Sequence, residues 1–375
     1  MIYDAIVVGL GAAGAATACE LAQRGQAVLG LERHTAPNCH ASHHGDSRII
    51  RKAYAEHPSY VPLLEASYDG WRRLERESGR QLLYITGSVH GGGPQSEEFT
   101  GALQACVEHG LAHEVLEADT LRARFPAFHP EAGHRFVHQP DGGFVASEDA
   151  IESLISIARA AGADLRERTP VVDWRAGEGC VEVETPSGTF KARGLVLAAG
   201  AWIDRLVPEL SRRVWIERQV VGWFDTAAAG PFALGHLPVF TLDTSAGPVF
   251  GFPEWRRPGF KIGIHHHLGE RVDPDEYATA MNNRDEAALR RALALVFPAA
   301  NNRLLSASTG VYTVIDDEFF ILDLHPAHRN VVIASPCSGH GFKFSPVIGQ
   351  ILSDLVMHGD TVWDIGQHRL ARFAA

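Results

Sequence analysis

The chain opens with a regular succession of apolar and glycine-rich segments. An apolar run at residues 5–8 is followed by a glycine-rich stretch at 9–14, an alanine-rich stretch that ends at Arg24-Gly25, and a second apolar run that ends at Glu32. A short apolar run next to glycine predicts a buried strand, and the alanine-rich stretch predicts a helix. The beginning of the chain therefore predicts a strand–helix–strand unit with a tight turn before the helix.

The same patterns predict further helices and strands along the chain. Helices are expected at residues 58–78, 97–110, 147–161, within 284–296, and at 346–358. Strands are expected at 171–175, 180–185, 194–199, 214–224, 239–242, 249–252, 260–265 and 330–334. Their order predicts an α/β (α+β) fold, with a Rossmann-like nucleotide-binding domain from residues 1–81, 141–213 and 309–375, and a second domain on an antiparallel sheet from 82–140 and 214–308.

Three glycines in the opening turn have the spacing that a dinucleotide requires. Gly9 permits the tight turn, Gly11 lets the backbone approach a pyrophosphate, and Gly14 lets the helix pack closely on the strand. The helix N-terminus then presents unpaired N–H groups and a partial positive charge to the phosphates. Glu32 ends the second strand, where a carboxylate accepts a hydrogen bond from a ribose hydroxyl. This acid favours FAD or NAD over NADP.

Composition narrows the class of protein. The 375 residues are 45% apolar, which is enough for a large core, and the length favours two domains or one domain with a large insertion. The formal charge of −11 argues against a nucleic-acid partner. No charged leader precedes the first strand and no spanning segment follows it, so a cytoplasmic protein that does not bind membranes is expected. The 5 scattered cysteines lack CxxC spacing, which favours reduced thiols over disulfides or a zinc site.

The C-terminal part repeats the arrangement of the N-terminal part. A buried run at residues 331–334 leads into the segment Ser-Gly-His-Gly-Phe-Lys-Phe at 338–344 and then into a helix. A second helix N-terminus directed at the cofactor would stabilise negative charge on a reduced flavin ring, a need that a nicotinamide enzyme does not have. The segment therefore favours FAD, with a surface turn as the alternative.

Two polar segments carry candidate chemistry. Residues 42–51 have the sequence Ser-His-His-Gly-Asp-Ser-Arg-Ile-Ile-Arg, in which Arg48 and Arg51 are three residues apart. On one helical face these arginines could bind a carboxylate, with a solvated charged loop as the alternative. Residues 265–267 are consecutive histidines, which alternate faces on a strand and have no carboxylate or cysteine at ligand spacing. No metal site is expected.

Several of these segments together resemble one enzyme family. They are the glycine turn at 9–14, SHHGDSRIIR at 42–51, residues 311–313 and 317–319, residues 323–326, and SGHGFKF at 338–344. Together they resemble the monomeric sarcosine oxidase and N-methyltryptophan oxidase family of FAD amine oxidases. The resemblance extends essentially from end to end, and the SHHGDSRIIR and SGHGFKF strings are far more specific than the glycine turn.

Carried over position by position, the resemblance implies a role for each site residue. Arg51 and Lys343 would hold the substrate carboxylate beside the flavin, and Arg48 would lie near the ring on its opposite face. Lys261 would lie by N5 of the ring and activate oxygen. The residues implied to line the substrate cavity are His265 and Tyr312. Those implied to bind FAD are Gly9, Gly11, Gly14, Glu32, Ser42, His43, Gly200, Gly339, Gly341 and Lys343.

The sequence departs from the family pattern at two positions. Gly310 takes the place of the cysteine that carries the flavin in the family's Cys-x-Tyr-Thr segment, so non-covalent FAD is expected. Cys337 lies elsewhere in the pattern and is not expected to replace that cysteine. Phe250 takes the place of a tyrosine of the substrate cavity, and the loss of this phenol means that the preferred substrate need not be sarcosine.

The resemblance implies a flavin-dependent oxidase of a secondary (N-methyl) amino acid or related amine. A hydride would pass from the carbon next to nitrogen to flavin N5, and O2 would reoxidise the flavin and give hydrogen peroxide. Two alternatives stay open. One is a dehydrogenase of the same fold that passes electrons to a quinone or carrier, and the other is a sensor that binds FAD without turnover. A monomer is expected on the resemblance alone.

Overall fold

The structure of the protein is a computed structural model that describes residues 2–177, 179–228 and 230–373. The α-helices in this part of the chain are α1 (Ala12–Gln23), α2 (Val61–Ser78), α3 (Glu97–Glu108), α4 (Ala118–Arg124), α5 (Ser147–Ala160), α6 (Ile203–Leu206), α7 (Asn283–Val296) and α8 (Ser345–His358). The strands are β1 (Ile2–Val8), β2 (Val28–Leu31), β3 (Ser47–Ile50), β4 (Leu83–Ile85), β5 (Ser88–Gly92), β6 (Glu114–Glu117), β7 (Arg135–Gln139), β8 (Gly143–Ala146), β9 (Asp164–Arg166), β10 (Asp173–Gly177), β11 (Cys180–Thr185), β12 (Gly188–Leu197), β13 (Val214–Phe224), β14 (Val239–Thr244), β15 (Gly247–Phe252), β16 (Phe260–Ile264), β17 (Leu304–Ile315), β18 (Ile321–His325) and β19 (His328–Ser335).

The first sheet is built around β1, the strand that opens the chain. The order of its described strands is β10-β11-β12-β1-β2-β9, and β19 and β18 extend it beside β12. The pairs β1–β12, β1–β2 and β12–β19 are parallel. Parallel strands in the middle of such a sheet are covered on both faces and therefore consist of apolar residues. This explains why β1 and β2 have apolar runs rather than alternating patterns.

The helices beside this sheet pack closely because small residues lie at their contacts. Helix α1 contacts both α5 and α8. A Cβ atom at Gly349 of α8 would lie 2.8 Å from the carbonyl oxygen of Ala16 in α1, so only glycine permits this approach. The alanine-rich sequence of α1 is thus explained by its packing between neighbouring helices.

The second sheet is largely antiparallel and supports one wall of a cavity. Its described strands have the order β17-β13-β16-β15-β14-β5-β7-β6, and only β14 and β5 form a parallel pair among them. The longest pairing joins β13 to β17, from Val214 opposite Ile315 to Phe224 opposite Leu304. Helix α7 covers this sheet with its buried residues Leu289 and Leu293. A small third sheet has the order β3-β8-β4.

The α/β (α+β) fold expected from the sequence is confirmed, with a Rossmann-like unit at β1-α1-β2 and a second sheet rich in antiparallel pairs. The partition of the chain into domains stays a prediction. Strand β17 runs from residue 304 to 315 and crosses the boundary expected between 308 and 309. Among the described helices, none is long and apolar enough to cross a membrane.

Candidate active site

A cavity of about 500 Å³ lies where the glycine turn of β1 and α1 meets two other parts of the chain. Gly9 has a φ of +89°, a conformation that favours glycine. A Cβ at Gly14 would lie 1.7 Å from the carbonyl oxygen of Gly9, which explains why this turn needs both glycines. Gly11 lines the cavity at the N-terminus of α1. The turn therefore presents backbone N–H groups to the cavity as a phosphate site requires.

Glu32 is held rigidly at the edge of this cavity. Its Oε2 accepts a hydrogen bond from the backbone N–H of Leu10 at 2.8 Å, and its Oε1 accepts one from His34 at 2.9 Å. Burial raises the pKa of Glu32, whereas these N–H groups oppose the rise. The carboxylate retains free lone pairs after both bonds, so its position and chemistry fit a ribose hydroxyl.

His43 gives a direct indication that the cavity takes a polar ligand. Its side chain is only 3% exposed and lines the cavity next to Ser42. Its Nε2 has no hydrogen-bond partner among the described residues. Burial lowers the pKa of His43 to about 4, so the ring is neutral at neutral pH. A buried nitrogen without a partner is costly, and a bound ligand that supplies the missing bond removes the cost.

Three further glycines from other segments line the same cavity. Gly200 follows β12 with a φ of +54°, and Gly339 has a φ of +80°. A Cβ at Gly341 would lie 1.7 Å from the carbonyl oxygen of Pro336. The turn before α8 thus folds tightly beside the cavity, as the turn before α1 does. The donors, the acid and the volume together fit a dinucleotide such as FAD.

A second cavity of about 150 Å³ adjoins the first. The residues that line both cavities are Ser42, Arg48, Tyr312, Gly339 and Phe342. The smaller cavity also brings together Arg51, Lys343, Phe250 and His265, which lie far apart in the sequence. We call it the substrate cavity.

Lys343 is a buried cation on the wall of the substrate cavity. It is 6% exposed, and its Nζ donates to the carbonyl oxygen of His340 at 2.7 Å. Burial lowers its pKa to about 7, although Glu56 acts in the opposite direction. His340 Nε2 lies 3.1 Å from the carbonyl oxygen of Glu318 and must donate to it, so Nδ1 accepts from the Tyr54 hydroxyl at 2.5 Å. This network fixes the turn that carries Lys343.

The two arginines of the SHHGDSRIIR segment do not share a helical face, so that expectation was wrong. Arg48 lies on strand β3 and Arg51 directly follows it. The guanidinium of Arg48 donates to the carbonyl oxygens of Ser47 and Ser42 at 2.8 and 2.7 Å. It also donates to His44 O. Arg48 therefore stabilises its own loop while it lines both cavities.

Arg51 is 4% exposed and is already bound to two carboxylates. Its Nη2 lies 2.7 Å from Glu56 Oε2, and its Nη1 lies 2.7 Å from Glu98 Oε1. Its Nη1 also donates to Thr241 Oγ1 at 2.6 Å. Burial alone would lower the pKa of the guanidinium. The charges of Glu56 and Glu98 outweigh burial and raise the pKa above its usual value, so Arg51 is permanently charged.

His265 and Tyr312 lie next to each other on the substrate cavity, with ring centroids 5.4 Å apart. Burial lowers the pKa of His265 to about 3, and burial raises the pKa of Tyr312 to about 12. Both side chains are therefore neutral at neutral pH. Phe250 completes this wall, and Gly263 makes room for its ring, since a Cβ there would lie 2.5 Å from the Phe250 side chain.

The three consecutive histidines enter three different environments. His265 lines the substrate cavity, His266 contacts Glu217 and Glu318, and His267 lies 3.0 Å from Asp285. The backbone turns at this point, because His266 and His267 have φ values of +57° and +25°. No group of three or more metal-ligating side chains occurs in the described part of the chain.

Lys261 lines neither of the two cavities. Its Nζ donates to Gly45 O at 2.6 Å and to the carbonyl oxygen and hydroxyl of Ser47, both at 3.0 Å. Burial lowers its pKa, and the charge of Arg48 acts in the same direction. In this structure Lys261 stabilises the loop that carries Arg48.

Gly310 and Cys337 belong to different cavities. Gly310 lines the substrate cavity, and a Cβ built on it would have no atom within 4 Å. Cys337 lines the larger cavity, and burial raises the pKa of its thiol. Within the described residues all five cysteines are free.

Sequence reasoning missed several polar residues of the substrate cavity. They are Glu56, Glu98, Gln219, Thr241 and Asp243. Glu56 follows Arg51 closely in the chain and could have been noticed for that reason. The others come from α3, β13 and β14 and carry no motif, so only the fold brings them to the cavity.

Comparison with known proteins agrees with this geometry. A family profile described as FAD dependent oxidoreductase matches residues 4–355. The chain is 36% identical over 377 residues to monomeric sarcosine oxidase of Bacillus sp. (strain NS-129), with 99% of this chain and 97% of the relative covered. It is 33% identical over 388 residues to N-methyl-L-tryptophan oxidase of Escherichia coli (strain SMS-3-5 / SECEC), with 100% of both chains covered.

A solved structure gives the same result at the level of the fold. The open form of NikD, an unusual amino acid oxidase essential for nikkomycin biosynthesis, matches with a TM-score of 0.86 at 26% identity. The match covers 98% of this chain and 97% of that chain. The resemblance that the sequence motifs indicate is confirmed over the full length, and the family match supports FAD as the cofactor. The chain belongs to the family of FAD dependent oxidoreductases, and within that family it is similar to monomeric sarcosine oxidase and N-methyl-L-tryptophan oxidase.

Proposed function

We propose that the protein is an oxidase that acts on the CH–NH bond of a secondary (N-methyl) amino acid or related amine. One observation carries the proposal. The substrate cavity contains the buried cations Arg51 and Lys343, and it shares five lining residues with the larger cavity, in which FAD would bind. A cation beside the cofactor is suited to a substrate that carries a carboxylate. The relatives named for sarcosine and N-methyl-L-tryptophan support a substrate with a methylated nitrogen.

The residues of the chain position the substrate and set the charge around it. Bound FAD would supply the acceptor for a hydride from the carbon next to the amine nitrogen, and O2 would take up the two electrons and give hydrogen peroxide. Lys343 holds the carboxylate, whereas His265 and Tyr312 have pKa values of about 3 and about 12 and are unsuited to take up a proton at neutral pH. The amine therefore reacts in its neutral form, and the site contributes mainly by orientation.

The test uses the purified, FAD-loaded protein without oxygen. We expect an N-methyl amino acid to bleach the yellow absorbance rapidly. When air is admitted, we expect one molecule of hydrogen peroxide for each reduced flavin. Lys343→Ala should lower kcat/KM at least about tenfold. Lys191→Ala is the matched control, because Lys191 is exposed and pairs only with Glu182 on the surface. A flavin that no secondary amine bleaches contradicts the proposal and favours a sensor.

The position of Lys261 favours a second candidate, a dehydrogenase that passes electrons to a quinone or carrier. Its Nζ is satisfied by Gly45 and Ser47 and lines neither cavity, which is unlike a group held ready for oxygen. Under the oxidase proposal, Lys261→Met slows reoxidation by O2 and leaves anaerobic reduction by substrate unchanged. Faster reoxidation of the wild-type flavin by a soluble quinone than by O2 would instead support the dehydrogenase.

We further propose that FAD is held without a covalent bond. Gly310 offers no sulfur, and the only cysteine on the larger cavity in the described residues, Cys337, is a buried thiol with a raised pKa. Acid precipitation of the purified protein should leave the flavin in the supernatant. A yellow pellet contradicts this proposal and makes Cys337 the first residue to substitute.

A further inference from the structure

The charge of Arg51 is balanced before any substrate enters the cavity. Glu56 and Glu98 each approach its guanidinium to 2.7 Å, and Thr241 accepts a further bond from it. Two carboxylates around one buried arginine leave a net negative charge in this part of the cavity. Arg51 alone is therefore a poor partner for a substrate carboxylate, and Lys343 has that role.

Glu98 lines the cavity and has one carboxylate oxygen that accepts no hydrogen bond within the described residues. It lies in the first turn of α3, where the partial positive charge of the helix N-terminus stabilises a carboxylate. Its Oε1 accepts from Arg51 and Thr241, and His90 Nδ1 lies 3.2 Å from the same oxygen. Its Oε2 accepts no hydrogen bond from residues 2–177, 179–228 or 230–373, although Glu98 lines the cavity. Burial raises the pKa of Glu98, but the charge of Arg51 and the contact with His90 together outweigh burial and lower it, so the group is ionised.

Asp243 adds a second acid on the same wall. It lies two residues after Thr241 on β14, so both side chains are on one face of the strand. Its Oδ2 accepts a hydrogen bond from the backbone N–H of Glu98 at 3.2 Å, and Asp243 also lines the cavity. Burial and the nearby charge of Glu98 raise its pKa. A bound cation would relieve this repulsion.

Gln219 provides an independent indication of what the cavity binds. It is 7% exposed and lines the same cavity from β13. Its Oε1 is buried and has no hydrogen-bond partner among the described residues, whereas its Nε2 faces Glu217. A buried acceptor without a hydrogen bond is unfavourable, so a ligand that donates a hydrogen bond to it is favoured. The cavity thus combines acceptors at Glu98, Asp243 and Gln219 with two cations that pair with no carboxylate among the described residues, Lys343 and Arg48. The guanidinium of Arg48 is already bonded to the carbonyl oxygens of its own loop, which leaves Lys343 for the substrate carboxylate.

We propose that Glu98, with Asp243 beside it, selects amino acid substrates whose side chain ends in an amino or guanidino group. The substrate carboxylate pairs with Lys343, and the distal cation pairs with Glu98 Oε2. A cation at this position offsets the free-energy cost of burying two acids. A neutral side chain does not offset this cost and therefore binds more weakly. The inference rests on the proposed function, because it names the substrate class of the same site.

The test compares two substrates with the same carbon side chain, only one of which ends in a charged amino group. Nα-methyllysine carries a cation, and Nα-methylnorleucine has the same chain without it. In the FAD-loaded wild-type protein we expect kcat/KM to favour the lysine derivative by about tenfold or more, mainly through KM. Glu98→Gln should abolish this preference and increase kcat/KM for the norleucine derivative, because it removes one of the two acids that bind Arg51.

The matched control is Glu97→Gln, which removes the neighbouring, exposed acid of the same helix turn and should leave the preference unchanged. Asp243→Asn is the second variant and should reduce the preference in part. An intact flavin spectrum checks that each variant is folded. Equal or better turnover of the norleucine derivative by the wild type overturns the inference, as does a preference that survives Glu98→Gln. If neither derivative nor sarcosine bleaches the flavin, the proposed function itself fails.

Discussion

Gly310 lies on β17 opposite Gln219 and faces open space in the substrate cavity. A Cβ at this position has no atom within 4 Å, so Gly310→Cys fits without disturbing the strand. By resemblance to the family, a cysteine here carries the flavin through a thioether. We expect Gly310→Cys, purified in air so that O2 accepts the two electrons released, to retain yellow flavin in the acid-precipitated pellet.

Gly310→Ala is the control for this experiment, because it adds a Cβ but no sulfur. Its flavin should stay in the supernatant, as in the wild type. A yellow supernatant from Gly310→Cys would show that the position of the ring in this protein differs from that implied by the resemblance.

The lowered pKa of Lys343 predicts that carboxylate binding depends on pH. Burial lowers its pKa to about 7, so the cation is fully present below that pH and is lost above it. The affinity for a small carboxylate without an amine, such as propionate, should be constant below pH 7 and fall by up to about tenfold per pH unit above it. His340 and His265 have pKa values of about 4 and about 3 and do not titrate in this range.

Titration of the flavin spectrum with propionate at several pH values measures this affinity. Lys343→Met should bind propionate weakly at every pH, with no bend near pH 7. A wild-type affinity that does not change between pH 6 and pH 9 would mean that another group holds the carboxylate.

Strand β3 shows why a local pattern can predict the wrong element. Arg48 and Arg51 have the spacing of one helical face, but Ile49 and Ile50 between them are β-branched and favour a strand. The chain pairs Arg48 with Val145 of β8, and on a strand two residues three apart lie on opposite faces. The pairing partner, about a hundred residues away, decides between the two structures, and no local window contains that information.

At the level of elements, a buried ion pair ties β13 to α7. Arg218 is 1% exposed and binds Asp285 through two hydrogen bonds of 2.9 Å. Asp285 also accepts from the backbone of Asn282 and contacts His267. Burial raises its pKa, but these partners outweigh burial and lower it to about 2. Asp285 thus contributes stability that is present above the pKa of the unfolded chain and is lost as the pH falls toward 2.

Asp285→Ala should therefore lower the free energy of unfolding by about 3–5 kcal/mol, because it removes the buried counter-charge of Arg218 and leaves only the exposed Glu270, 3.7 Å away. Urea unfolding of the FAD-loaded protein at neutral pH, followed by tryptophan fluorescence, measures this loss. Glu286→Ala, which removes a half-exposed ion pair with Arg290 on the same helix, should cost less than about 1 kcal/mol. Similar losses in both variants would show that the buried pair has no special role.

At the scale of the whole molecule, the two cavities differ in how far the sequence predicts them. The larger cavity forms from strand–glycine–helix turns at both ends of the chain, each with a local signature. The acidic wall of the substrate cavity has no such signature. The backbone of Glu98 donates to Asp243, 145 residues further along, and neither residue stands in a motif. Their proximity follows from how α3 covers β5 and β14, which depends on the whole sheet.

FAD bound in the larger cavity would join these distant segments, so its binding should stabilise the entire chain. If FAD is held without a covalent bond, as proposed, it binds only the folded protein, and its contribution depends on concentration and reaches about 2.7 kcal/mol at a hundredfold excess over Kd. Apoprotein prepared by dialysis against concentrated salt should unfold at a lower temperature, and added FAD should raise the midpoint progressively. NADP should leave the midpoint unchanged, since its 2′-phosphate would meet the Glu32 carboxylate. A midpoint that does not respond to FAD, or a flavin that dialysis never removes, would mean that the cofactor is attached to the chain despite Gly310.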